Sequence, residues 1–179
     1  MLGPFDYAFN QTLGYEGGYS DKQGDRGGKT KYGITEAVFK DAIRRGIISP
    51  VSTDIRKITL EQAKAIYLFD YWHKLSLNSV RDGMIAAEIF DTAVNMGRAA
   101  AALICQEALN YLGETLDEDG IMGPKTIAAI NKWAEKDQRA LFICLNGFQF
   151  MQYVKIVSGN DTQKKFARGW TKRVQSYQT

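Results

Sequence analysis

Apolar residues in this chain recur mostly at the three-to-four spacing of helices that turn one face to a core. Phe5, Ala8, Phe9, Thr12 and Leu13 trace the first stripe. It runs into Gly17-Gly18, a pair that favours the left-handed conformation ending a helix. The spacing resumes behind Thr35, a suitable N-cap, through Ala37, Val38, Ala42 and Ile43, and stops at Gly46. Thr59-Leu60-Glu61-Gln62 has the form of a capping box and opens a helix through Ala63, Ile66, Tyr67 and Tyr71. Further helices are predicted over 84–96, closed by Gly97, and over 99–112, closed by Gly113. Pro124 suits the first position of a helix over 124–134, and two more follow over 138–157 and 162–176.

One stretch breaks this period. Gly14, Gly17, Gly18, Gly24, Gly27, Gly28 and Gly33 crowd into positions 14–33, which predicts a loop or short hairpin there. The expected fold class is mainly α, with one short Gly-rich loop or β-hairpin near the N-terminus. No repeat, low-complexity tract or Pro- or Ser-rich linker interrupts it.

Composition narrows the class. With 179 residues, 45% hydrophobic and 24% charged, the chain can bury a core without staples, which excludes a disordered tail or a fibrous repeat. The net charge of +3 suits an anionic surface such as a bacterial wall but falls short of a nucleic-acid footprint, so no nucleic-acid partner is expected. Cys105 and Cys144 stand in apolar stretches outside any zinc spacing, reading as two buried reduced thiols. His73 is the single histidine, which leaves a His-based metal site or a Ser-His-Asp triad little to work with, and no metal is expected. The start, Met1-Leu2-Gly3-Pro4-Phe5-Asp6, has no signal-peptide pattern, and the uncharged run 140–154 is too short and polar to span a bilayer. Cytoplasmic synthesis, no membrane insertion and a monomer are the expectations, with release to the outside left to another agent, holin-type or otherwise non-classical.

The Gly-rich segment carries the candidate chemistry. Glu16 is the last side chain before the glycines, where a helix C-terminus and flanking Tyr15 and Tyr19 push a carboxyl pKa upward. A carboxyl that keeps its proton near neutral pH suits general-acid cleavage of a glycosidic bond. Asp25 comes nine residues on. A loop folding back as a hairpin sets it opposite Glu16, giving the paired carboxylates of a glycosidase. Thr30 and Thr35 offer hydroxyls to hold a water, and Tyr19 and Tyr32 offer ring faces for a sugar. By composition alone, Glu16 also reads as a solvated helix end and Asp25 as a turn-former.

Glu16-Gly17-Gly18-Tyr19-Ser20, Asp25, Gly27-Gly28-Lys29-Thr30 and Tyr32-Gly33-Ile34-Thr35 together resemble the signature of glycoside hydrolase family 108. These are bacterial and phage N-acetylmuramidases, some known as secretion activators. The resemblance implies Glu16 as proton donor, and a weaker likeness to phage-type lysozymes gives Asp25 and Thr30 the hydrolytic water. Phe90-Asp91-Thr92-Ala93-Val94-Asn95-Met96-Gly97 is similar to the central lysozyme helix ending in Asn-x-Gly, which puts Asn95 among the substrate-binding candidates, while Asp91 and Asn95 read equally as a helix cap or a satisfied buried polar pair. Asp119-Gly120-Ile121-Met122-Gly123-Pro124-Lys125-Thr126 is similar to the turn of the family's helical peptidoglycan-binding module.

The resemblance implies a lysozyme-like catalytic domain over 1–97 and a peptidoglycan-binding-like module over 98–179. The expected activity is hydrolysis of the β-1,4 link between N-acetylmuramic acid and N-acetylglucosamine, with glycan strands as partner and no cofactor. A lytic transglycosylase, or a non-catalytic wall-binding or secretion-assisting protein, is the alternative. Tyr67, Tyr71 and Trp72 read as core aromatics. Lys164, Lys165, Arg168, Lys172 and Arg173 form a basic helical face, either simply solvated or drawn to an anionic wall polymer.

Overall fold

The computed structural model describes residues 3–13, 18–20 and 28–174. Its helices are α1 (Pro4–Leu13), α2 (Glu36–Arg44), α3 (Leu60–Tyr67), α4 (Gly83–Met96), α5 (Arg98–Tyr111), α6 (Pro124–Gly159) and α7 (Lys164–Thr171). One antiparallel hairpin, β1 (Thr30–Lys31) and β2 (Ile34–Thr35), stands between α1 and α2. The mainly α class with a short hairpin near the N-terminus is what is observed.

α4 is the centre of the molecule. Every residue from Ile85 to Ala93 is buried, because α1, α5 and α6 pack around it. Asp82 starts it: one carboxylate oxygen accepts the Met84 and Ile85 N–H groups at 3.0 and 2.9 Å. An aromatic cluster fixes α1 and the segment after α3 against it. Phe5 meets Phe9, Trp72 and Phe90 at centroid distances of 5.6–5.8 Å, and Phe9 meets Tyr67 at 5.7 Å, mostly edge to face. Tyr67 and Trp72 are core residues, as expected, while Tyr71 is half-buried.

Several boundaries differ from those read from the periodicity. α3 keeps α geometry only to Tyr67, and Leu68–His73 continues as a wider π-type turn that swings Trp72 inward, where its indole N–H donates to Asn78 at 2.6 Å. The last helix starts at Lys164, after a 3₁₀ turn over Asp161–Gln163; residues 175–179, onto which the predicted run extends, lie outside the described residues. Cys105 is buried, but Cys144 is only half-buried, because it sits at the edge of α6's packed face; both are free thiols. The predicted break between 134 and 138 is present as a kink in α6 at Asp137, whose φ of −159° and ψ of 82° leave the helical region. The Asp137 carboxylate then accepts the Ala140 N–H at 2.9 Å and starts the second rod.

Candidate active site

The hairpin grows out of its own turn chemistry. Tyr32 and Gly33 both have positive φ, 52° and 73°, which is the backbone of a two-residue I′ turn. Gly33 is required there twice over. A Cβ would strain the backbone and would also lie 2.6 Å from the Tyr67 hydroxyl oxygen. That hydroxyl donates to the Tyr32 carbonyl at 3.2 Å, tying the turn to the core. Lys31 clamps the other side, donating to the Arg56 and Ile58 carbonyls at 2.7 and 3.1 Å.

The backbone of Thr30 pairs with Ser20 in both directions, at 2.8 and 2.9 Å. Residues 20 and 30 therefore form a paired neck. Glu16 and Asp25, the paired-carboxylate candidates, lie outside the described residues.

The other candidates are described. Thr30 stands half-buried at the neck, opposite Thr35 in the hairpin register. The Thr35 hydroxyl accepts the Val38 N–H at 3.2 Å and caps α2, so its oxygen already has a structural task. Tyr19 is exposed and lies within electrostatic reach of Arg56. Tyr32 is half-buried, with the Lys31 ammonium 5.2 Å from its ring centre. Asn95, near the end of α4, donates its amide to the Tyr153 hydroxyl on α6. The structure thus gathers Thr30, Tyr32 and Thr35 in one hairpin and places Asn95 against the C-terminal helices.

Beside Asn95 lies a polar seam that the periodicity does not announce as functional. Glu88, Asp91, Thr92 and Asn95 follow one another at helical spacing on α4, within an otherwise apolar run. That spacing is the signal for them. Asp91 pairs with Arg173 at 2.7 Å, and the Gln149 amide donates to the Thr92 hydroxyl at 3.0 Å. Burial pushes the Glu88 carboxyl up to about 8, the nearby Asp91 adds to the rise, and the Asn146 side chain works against it. Burial likewise raises Asp91, opposed chiefly by the Arg173 guanidinium. Among the described residues no cation pairs with Glu88.

A groove of about 660 Å³ opens on another side, between α2, the turn after α3, the start of α5 and the 120–122 turn. Asp70 organises its floor. It takes Arg45 in a two-pronged pair at 2.5 and 2.8 Å, and its carbonyl accepts from Arg98. Tyr71 connects this groove to the hairpin, since its ring lies 5.5 Å from Tyr67. Gly120 is held in a left-handed turn with φ of 70°, and a Cβ there would crowd the Ala99 carbonyl.

Residues 9–97 match the family model for glycosyl hydrolase 108, and residues 100–175 match one described as a predicted peptidoglycan domain. The solved structure of Brucella abortus SagA is similar, with 29% identity and a TM-score of 0.72 over 95% of this chain and 88% of that one. None of the curated proteins compared with the chain matches it.

Proposed function

We propose, on the premise that this chain is a glycosyl hydrolase 108 domain followed by a predicted peptidoglycan domain, that it is an N-acetylmuramidase. The bond cut is the β-1,4 link between N-acetylmuramic acid and N-acetylglucosamine. Glu16 protonates the leaving oxygen, and a water held by Asp25 and Thr30 attacks the sugar carbon. What supports this most is the family match over 9–97, a range that includes Glu16-Gly17-Gly18-Tyr19. The neck at Ser20 and Thr30 adds a physical reason, since it fixes the base of the segment carrying Asp25. The groove around Asp70 borders both matched ranges and suits the flanking glycan, with Arg45 and Arg98 as polar rims.

The test is release of reducing ends from purified peptidoglycan. Glu16→Gln removes the transferable proton while keeping shape, so activity falls by about 10²–10⁴-fold with an unchanged melting temperature. Wild-type rates in that variant overturn the assignment. Mass spectrometry of the products decides the reaction: ordinary reducing-end muramic acid marks hydrolysis, and an anhydro end marks a lytic transglycosylase. Binding to insoluble peptidoglycan without any released ends marks a wall-binding protein.

A further inference from the structure

Two cations in the groove around Asp70 are left without a carboxylate. Among the described residues, Asp41 and Asp70 line it against Arg45, Lys74 and Arg98. Arg45 serves both acids, through its Nε on Asp41 at 2.7 Å and its two-pronged pair with Asp70. Lys74 rests its ammonium 5.6 Å from the centre of the Phe69 ring, and Arg98 donates one guanidinium nitrogen to the Asp70 carbonyl. Among the described residues neither forms an ion pair. Both are held in place with donors to spare, since an ammonium has three N–H groups and a guanidinium five.

The groove is built by both halves of the chain. Lys74 follows the π-type turn within the range matched to glycosyl hydrolase 108, and Arg98 opens α5 at the junction. Ile121 and Met122 belong to the range matched to a peptidoglycan domain. Tyr71, in the same groove, lies 5.5 Å from Tyr67, whose hydroxyl reaches the Tyr32 carbonyl. One pair of rings therefore separates the groove from the hairpin that carries Thr30 and Thr35.

The charge says what occupies it. The sugars of a strand alternating N-acetylglucosamine and N-acetylmuramic acid are uncharged. Its negative charge sits on the carboxylates of the peptide borne by the muramic lactyl group. Sugar rings alone leave Lys74 and Arg98 unmatched. A phosphate polymer offers charge but no side chains for Leu75, Ile121 and Met122, which line the same groove. An acidic peptide offers both, and at about 3.3 Å per extended residue its first three residues span about 10 Å. The groove's 660 Å³ is ample for that. We infer that Lys74 and Arg98 form a subsite for the carboxylates of the peptidoglycan stem peptide. They thereby select peptide-bearing strands over bare glycan, a selection that rests on the muramidase reading above.

The experiment gives the full chain two soluble substrates: uncrosslinked strands with their peptides, and the same strands stripped by an amidase. Released reducing ends are the readout. kcat/KM is expected to be about tenfold higher on peptide-bearing strands, through KM, and the gap to narrow as salt is raised. In the double variant Lys74→Gln, Arg98→Gln the ratio is expected to fall towards one, whereas Lys74→Arg, which keeps the charge, retains it. Circular dichroism verifies the fold of each. Titration with the free stem peptide, followed by NMR, is expected to shift the amides around Lys74 and Arg98. Amidating the peptide's carboxylates is expected to weaken that binding by about tenfold. Cleavage of neither substrate overturns the muramidase reading, and the titration then decides the subsite alone. Equal kcat/KM on both substrates, an unchanged ratio in the double variant, or equal binding of the amidated peptide overturns the subsite and leaves that reading intact. Tighter binding of inorganic phosphate than of the peptide at the same amides overturns it in favour of a phosphate polymer.

Discussion

Burying a carboxyl away from any cation raises its affinity for a proton, and among the described residues Glu88, 1% exposed on α4, is in that position. The sign of the consequence follows from linkage. Its folded pKa of about 8 stands above the usual value of 4.5, so between those limits the folded state holds the proton that the unfolded chain has released. The stability is fully present below the lower value and lost as pH rises through the upper one. Glu88→Gln, neutral at every pH, is expected to flatten the fall in melting temperature between about pH 5 and pH 9, measured by calorimetry. An equally steep fall in that variant shows that other groups set the pH dependence. Gly33 supplies a second test of residue-scale geometry. Gly33 and Gly46 have nearly the same positive φ, 73° and 71°, but only Gly33 faces a neighbour, the Tyr67 hydroxyl. Gly46→Ala bears the backbone strain alone, about 1 kcal/mol, and Gly33→Ala is expected to cost clearly more in chemical denaturation.

Elements show how much can be read from one-dimensional pattern. The break at Asp137 was legible because apolar spacing lapses between Trp133 and Leu141 and because Asp disfavours helix interiors by competing for backbone donors. The capping box at Thr59 was legible for the same kind of local reason, and both halves of it form, Gln62 N–H to Thr59 and Thr59 N–H to Gln62. The π-type turn at Leu68–His73 was not, since its cause is tertiary: Trp72 must reach Phe5, Phe90 and Asn78. The burial of the polar seam on α4 was not legible either: helical spacing marks Glu88 and Asp91, but it is the later segments carrying Asn146, Gln149 and Arg173 that enclose them. Motif likeness could name Glu16 and Asp25, but spacing alone cannot state their separation. Asp137 carries the element-scale prediction. Its carboxylate is the cap of α6's second rod, so Asp137→Ala is expected to lower stability by about 1 kcal/mol, whereas Asp137→Asn or Asp137→Ser retains most of it. A neutral alanine variant in urea unfolding would show that the kink is held by packing instead.

At the scale of the molecule, the last helix is tied to the first half of the chain. One apolar core runs from Ala8 through α4 and α5 to Leu145 without interruption at the Gly97 junction. α7 then returns across it: Trp170 stacks on Tyr153 at 5.2 Å, and just beyond α7 Arg173 pairs with Asp91, whose side chain is only 5% exposed. Removing Arg173 leaves that carboxylate buried without its cation. Breaking a fully buried pair costs about 3–5 kcal/mol; the Arg173 side chain is about a third exposed, which reduces the expectation to about 2 kcal/mol. Arg81, paired with Glu135 where both side chains are 72% exposed, provides the comparison, and Arg81→Ala should change stability little. The Arg173→Ala loss has a pH signature as well. Asp91 already has a raised pKa with its partner present, and losing the guanidinium raises it further. A buried carboxyl of that kind weakens the fold as pH climbs through its folded pKa, so the deficit of Arg173→Ala is expected to be largest at neutral pH and to shrink towards about pH 4. Adding Asp91→Asn removes the buried charge and should recover most of the loss at neutral pH. If the double variant is as unstable as the single one at every pH, α7 is held by the Trp170–Tyr153 stack and the ion pair contributes little.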